Sequence, residues 1–280
     1  MEFLTLKNGV QMPILGFGTY LISDVTECTR SITTAVENGY RLIDTAQIYG
    51  NEAAVGEAIR HCGVPREELF LITKLWFDSY ETTAAQKAIG ESLKNLCTDY
   101  LDMVLLHWPY GNTYAAWRVL EDFHEQGIIR SLGVSNYTPD RLVDLIHFNR
   151  VAPVLNQIEV NLWCQRQTER PWQDKLGVAM QAYAPMGRKR PPEYFDDPLL
   201  LKLSDKYNKS VRQIMLRFLI QSNVAVIPKS VHSERIHENI QVFDFCLDDG
   251  EMAALTALDR AEPLIGDPQN PNRVEHMLGV

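Results

Sequence analysis

The chain opens on an alternation that fits two short paired strands. Phe3, Leu4 and Leu6 lead to Asn8-Gly9, and Val10, Met12 and Ile14 follow. Asn-Gly favours a two-residue hairpin turn, because both central residues must take positive φ. Beyond this point the pattern changes. Short apolar runs rich in Val, Ile and Leu recur at 16–19, 42–44, 69–73, 101–106, 129–135, 155–160, 178–183 and 224–227. Between them the apolar positions fall every third or fourth residue, as on one face of a helix.

The helical stretches carry their own punctuation. Ala85, Ile89 and Leu96 share a face, with Leu93 at its edge. Trp117, Leu120 and Phe123 form another, closed by Gly127. Thr138-Pro139 reads as a cap followed by proline in the first turn, and Ser210 with Gln213 reads as a capping box. Apolar strands alternating with helices imply a parallel sheet covered on its outer face. Eight such units, the first at 16–19, predict one α/β domain over 1–280: a closed (β/α)8 barrel with an N-terminal hairpin at 1–15. The tail at 260–280, with Pro263, Gly266, Pro268 and Pro271, reads as a loop over the active-site rim. Gly16-Phe17-Gly18 resembles the start of a dinucleotide fingerprint. The third glycine would fall on Leu21, so a Rossmann fold is set aside.

Composition narrows the function. Hydrophobic residues make up 45% of the 280 and charged residues 22%, as a folded domain with a full core requires. The formal net charge of −9 argues against nucleic acid or an anionic membrane as partner. Any polyanionic ligand must then bind at a local cluster of cations. Five scattered cysteines without a C-x-x-C pair suggest neither a disulfide framework nor a metal site. The N-terminus lacks the apolar core of a signal peptide and no run approaches the ~18 residues of a spanning helix, so a cytoplasmic protein is expected.

In a β/α barrel the reactive groups sit at the C-terminal ends of the strands. Asp44, Lys74 and His107 end three neighbouring runs, and Tyr49 lies in the loop after Asp44. Each has a bland reading alone: a helix cap, a solvated rim charge, a structural histidine, a packed turn residue. Together they suit carbonyl reduction, in which hydride reaches carbon while a proton reaches oxygen. Tyrosine, with an ordinary pKa near ~10, is a poor acid, and a neighbouring lysine is expected to lower it. Asp44 would hold Lys74, and His107 would orient the carbonyl as a neutral donor.

A second set suits the hydride carrier. Ser135 and Asn136 end one more run and Gln157 lies within the next, with amide and hydroxyl groups fit to pin a carboxamide, and Tyr183 could stack on a flat ring. Ile227-Pro228-Lys229-Ser230, then His232, Arg235, Glu238 and Asn239, place two cations and a hydroxyl at a loop and helix start. That is a favoured phosphate site in barrels, and it points to NADPH over NADH. Tyr20, Trp76 and Trp108 could as a group wall an apolar substrate pocket, though each alone is more often core packing.

These stretches resemble the aldo-keto reductases from the Asn8-Gly9 hairpin to about Arg260. The matching segments are Gly39-Tyr40-Arg41-Leu42-Ile43-Asp44-Thr45-Ala46, Thr73-Lys74-Leu75-Trp76, Leu105-Leu106-His107-Trp108-Pro109, Gly133-Val134-Ser135-Asn136, Asn156-Gln157-Ile158-Glu159 and Ile227-Pro228-Lys229-Ser230. The resemblance implies a catalytic tetrad of Asp44, Tyr49, Lys74 and His107, and NADPH lying extended across the barrel top. It implies cofactor contacts from Gly18, Thr19, Tyr20, Asp44, Ser135, Asn136, Gln157, Tyr183, Ala184, Pro185, Met186 and Gly187. On the adenosine side it implies Ile227, Lys229, Ser230, Val231, His232, Arg235, Glu238 and Asn239. Substrate contacts would come from Tyr20, Tyr49, Trp76, His107 and Trp108, in a monomer or weak homodimer acting on a small carbonyl compound. His232 and Trp163 stand where smaller residues are usual. The loop after His107 is short, as in bacterial members that reduce diketo-gluconic acid, methylglyoxal and assorted ketones. Two rival readings share the fold: a non-catalytic NADPH-binding protein, and a sugar-phosphate isomerase using Asp44 and Lys74 as a plain acid/base pair.

Overall fold

The computed structural model describes residues 1–188 and 190–279. Strands β1 (Phe3–Thr5) and β2 (Gln11–Pro13) pair antiparallel as expected. Their connection is longer by one residue than Asn-Gly suggests. The Leu6 N–H donates to the Val10 carbonyl and the Gly9 N–H to the Leu6 carbonyl, leaving a loop of Lys7, Asn8 and Gly9. Gly9, at φ 84°, takes the left-handed position that such a loop demands. Asn8 reaches the Ser131 hydroxyl and Lys7 the Leu176 carbonyl, so the hairpin lies across the strand-start mouth of the sheet.

Eight strands follow: β3 (Phe17–Gly18), β4 (Leu42–Asp44), β5 (Phe70–Leu75), β6 (Met103–Leu106), β7 (Leu132–Ser135), β8 (Leu155–Glu159), β9 (Ala179–Tyr183) and β10 (Ala225–Val226). They are hydrogen-bonded in chain order, every pair parallel. Periodicity alone could not prove closure. The structure closes it: Leu15 bridges Val226 in parallel, the Gly16 N–H donates to the Val226 carbonyl and the Val226 N–H to the Ile14 carbonyl, both at 2.8 Å. The seam is tight. A Cβ at Gly16 would lie 2.2 Å from Leu42 Cδ2, which is why a glycine stands just ahead of the first barrel strand.

Helices α1 (Val25–Glu37), α2 (Glu52–His61), α3 (Thr82–Asn95), α4 (Thr113–Glu125), α5 (Pro139–Phe148), α6 (Arg170–Leu176), α7 (Pro198–Tyr207), α8 (Val211–Gln221), α9 (Ser233–Ile240), α10 (Asp249–Thr256) and α11 (Pro271–Leu278) supply the outer layer and the tail. The expected signals stand where they were read. Proline opens α5, and Ser210 and Gln213 cap α8 reciprocally. Every residue of β4 to β8 is buried, so the barrel is a packed interior and not a pore.

The tail corrects the reading of a loop. It ends in α11, whose Asn270 side chain accepts from the Asn272 N–H with Pro271 in the first turn. Asn-Pro is itself a helix-start signal, masked in the sequence by the prolines around it. The tail is anchored. The fully buried Glu159 carboxylate, at the end of β8, accepts from the backbone of Leu264 at 2.8 Å and of Ile265 at 3.1 Å. Tyr110 donates to the Pro268 carbonyl at 2.6 Å. No helix is long and apolar enough to cross a membrane among the described residues.

Candidate active site

The strands deliver their C-terminal side chains to one level. Lys74 lies opposite Leu105, Ser135 opposite Gln157, and Glu159 opposite Tyr183 in the parallel register. Above that level opens a cavity of about 830 Å³. Asp44, Tyr49, His107, Ser135, Asn136, Gln157 and Tyr183 all face it, as do Gly18, Tyr20, Trp76 and Trp108. So do Ala184, Pro185, Met186 and Gly187 after β9, and Ile227, Lys229, Ser230, Arg235 and Asn239 after β10.

At its floor, charges are paired tightly. Lys74 Nζ donates to Asp44 Oδ1 at 2.6 Å and to the Thr45 carbonyl at 2.8 Å. Asp44 Oδ2 accepts from Gln157 Nε2 at 2.7 Å, so neither carboxylate oxygen is left without a donor. Both ends of this ion pair are out of water, with the lysine side chain 0% exposed. Burial pushes the Asp44 carboxyl up and the Lys74 ammonium down, and each partner is what keeps the other charged.

Lys74 Nζ also lies 3.4 Å from the Tyr49 hydroxyl, the one phenol in reach. The expectation that Lys74 brings the pKa of this phenol below its ordinary value is not met. Burial first, then the Asp44 carboxylate and the phenols of Tyr20 and Tyr183, hold Tyr49 well above its ordinary value. Full burial disfavours the phenolate by more than one neighbouring ammonium offsets. The phenol therefore stays protonated at neutral pH.

His107 packs edge-on against Tyr49 and Trp76, with ring centroids at 5.7 and 5.1 Å. Burial and then the Lys74 charge drive its pKa well below the ordinary value, which keeps the imidazole neutral. Its Nδ1 is buried without a partner, so the ring proton belongs on Nε2, the nitrogen left to the cavity. Asn136 fixes this loop. In the left-handed region at φ 63°, it donates from Nδ2 to the His107 carbonyl and accepts from the Tyr183 hydroxyl at 2.8 Å. Ser135 donates to the Gln157 carbonyl.

Some sequence-predicted residues lie elsewhere. Thr19 is fully buried and donates to the Asp44 carbonyl, bracing the strand end. Glu238 accepts from the Ser210 hydroxyl, tying α9 to the start of α8, and does not line the cavity. His232 is exposed as the N-cap of α9, and the Val231 carbonyl accepts from Arg30, both off the cavity wall.

The wall also holds residues that sequence reasoning missed: Arg188, Arg190, Phe195, Arg212, Ile265, Arg273 and Met277. The Arg188-Lys-Arg190 run was a readable sign of a basic loop, whereas Arg212 looked like an ordinary surface position of α8. Phe195 lies between two guanidinium groups, with Arg190 Cζ 4.2 Å and Arg212 Cζ 4.5 Å from its ring centre. Among the described residues the side chains of Arg188, Arg212, Lys229 and Arg235 meet no acceptor. In a chain of net charge −9, this is a concentrated exception.

The chain belongs to the aldo/keto reductase family, whose sequence profile matches residues 15–260. It is 39% identical over 270 residues to a glyoxal reductase of Bacillus subtilis, covering 95% of this chain and 96% of that one. It is 40% identical to the methylglyoxal reductase DkgA of Yersinia pestis over 95% of this chain and 96% of the relative. A Bombyx mori aldo-keto reductase crystallised with NADP superimposes with a TM-score of 0.89 at 36% identity, over 94% of each chain.

Proposed function

We propose that this protein uses NADPH to reduce aldehyde and ketone carbonyls to alcohols, small α-oxoaldehydes among them. The observation that carries this reading is the Tyr49 hydroxyl, 3.4 Å from a buried ammonium and opening with His107 on one cavity. The cavity walls suit the coenzyme. Unpartnered cations at Lys229, Arg235 and Arg212, beside the Ser230 hydroxyl, fit its phosphates, and the preference for NADPH follows from that charge. Tyr183, Ser135, Asn136 and Gln157 would hold the nicotinamide end. When bound, NADPH supplies the hydride for the carbonyl carbon.

The chain's own residues handle the oxygen. Nε2–H of His107 and the hydroxyl of Tyr49 both donate to the carbonyl oxygen, which orients the substrate. As negative charge builds there, Tyr49 passes its proton to it, and the resulting phenolate is stabilised by Lys74. This help is felt only once the proton moves, which is where it accelerates reaction. Asp44 and Gln157 hold Lys74 aimed and charged. Trp76, Trp108 and Tyr20 exclude water around the reacting carbon.

The test is NADPH oxidation, followed by absorbance, with glyoxal, methylglyoxal and benzaldehyde. Turnover of at least one is expected. NADPH binding without turnover on any of them would favour the non-catalytic reading, and no binding at all would favour the isomerase.

A further inference from the structure

Resting on that reductase reading, we propose that Gln181 is a positioning residue for the coenzyme. It fixes the amide of Gln157 so that only an acceptor oxygen is offered to the nicotinamide end. Gln181 lies in β9, opposite Gln157 of β8 in the parallel register. Its side chain is fully buried and forms no part of the cavity wall. Any influence it has on a ligand must therefore pass through Gln157.

The amide nitrogen of Gln157 carries two hydrogens, and both are engaged. One goes to Asp44 Oδ2 and the other to Gln181 Oε1, each at 2.7 Å. An amide is planar, and its two N–H bonds lie in that plane. A single engaged hydrogen would let the group turn about the N–H···O line. Two hydrogens aimed at oxygens from different strands, β4 and β9, hold the plane. Asp44 cannot do this alone, since its other oxygen is taken by Lys74.

What remains of Gln157 is Oε1. Among the described residues it is neither bonded nor enclosed, on a side chain that lines the cavity. The reversed setting is shut out. Turned over, the amide would bring Oε1 to about the same 2.7 Å from two acceptor oxygens, one of them a carboxylate. At this point the site offers an acceptor and no donor, which suits the amino group of a carboxamide and not its carbonyl.

The arrangement is costly to the fold. Gln181 Nε2 is buried without a partner among the described residues. An orphaned buried donor is unfavourable, and an apolar side chain at this place would avoid it. The gain lies at the other end of the same amide, where Oε1 answers Gln157.

The experiment measures the binding of two ligands by quenching of tryptophan fluorescence. They are NADP+ and its 3-acetylpyridine analogue, in which a methyl group replaces the carboxamide NH2. Wild type should bind NADP+ about 3- to 10-fold more tightly, the difference expected for one hydrogen bond. In Gln181→Leu, which has no acceptor, that preference should shrink to within about twofold, with the analogue bound nearly as in wild type. Gln181→Glu, which keeps an acceptor oxygen at the same reach, should retain most of the preference. An undiminished preference in Gln181→Leu would overturn the proposal. So would equal weakening of both ligands, because a merely structural role does not change selectivity between them. Wild type that binds both alike would remove the Gln157 contact and the proposal with it. Wild type that binds neither would sink the reductase reading instead.

Discussion

The two halves of the cavity are built on opposite terms. On the β4, β5 and β8 side, Asp44, Lys74 and the Gln157 amide nitrogen satisfy one another at 2.6 to 2.7 Å, so the charges there need no ligand. On the β10 side, Lys229 and Arg235 stand with Arg212 and without acceptors, and Arg190 is held below its usual pKa by burial and by Arg212. The closed half is what reaction chemistry requires, since a preorganised group need not reorganise when charge appears. The open half is what binding requires, since its repulsion is relieved only when an anion arrives. The fold itself sets this division. Strand ends pack side chains from neighbouring strands against one another, whereas a loop and helix start leaves its cations on the rim.

The comparison yields its largest effect where the closed half is broken. Lys74→Met leaves the Asp44 carboxylate buried without its cation. The free protein should lose about 3–5 kcal/mol of stability in urea unfolding. A loss under ~1 kcal/mol would show that the pair is not as interdependent as its geometry says.

Arg235→Ala tests the other half and should behave in the reverse way. The free protein should change by no more than about 0.5 kcal/mol, as for an unpartnered surface residue. NADPH affinity, read from fluorescence, should fall about 10- to 100-fold, with NADH much less affected. Equal losses for both coenzymes would remove the basis for assigning the ribose phosphate to this half.

The smallest effect is a pH dependence. His107 has a folded pKa below its unfolded value of ~6.5, so below that pH the unfolded chain binds the proton that the folded chain refuses. Its contribution to stability is complete above that unfolded value and is lost as pH falls toward the folded pKa. Urea midpoints should therefore decline more steeply on acidification in wild type than in His107→Gln. Parallel curves for the two would contradict a neutral, buried imidazole.

The sequence was most readable where a pattern has a single physical cause. Eight apolar runs needed a covered parallel sheet, and Ser210 with Gln213 needed a helix start; both are present. That Asp44, Lys74 and His107 would gather at one end was readable because strand ends of a barrel share one level. What escaped depended on contacts between segments far apart in sequence. Glu238, read as a coenzyme contact, also ties α9 to Ser210, a pairing no local pattern shows. Glu159 looked like part of a strand, though it anchors a tail more than a hundred residues on. The acidity of Tyr49 was misjudged because the sequence suggests Lys74 beside it but not how completely the phenol is buried.

The central claim is that the Tyr49 hydroxyl supplies the proton while contributing little to coenzyme binding. The direct measurement sets Tyr49→Phe beside wild type, with methylglyoxal turnover and NADPH affinity determined on the same preparations. Turnover should fall about 100- to 10,000-fold, the range for loss of a general acid, with NADPH affinity within about twofold. Turnover that survives the loss of the hydroxyl would contradict the account.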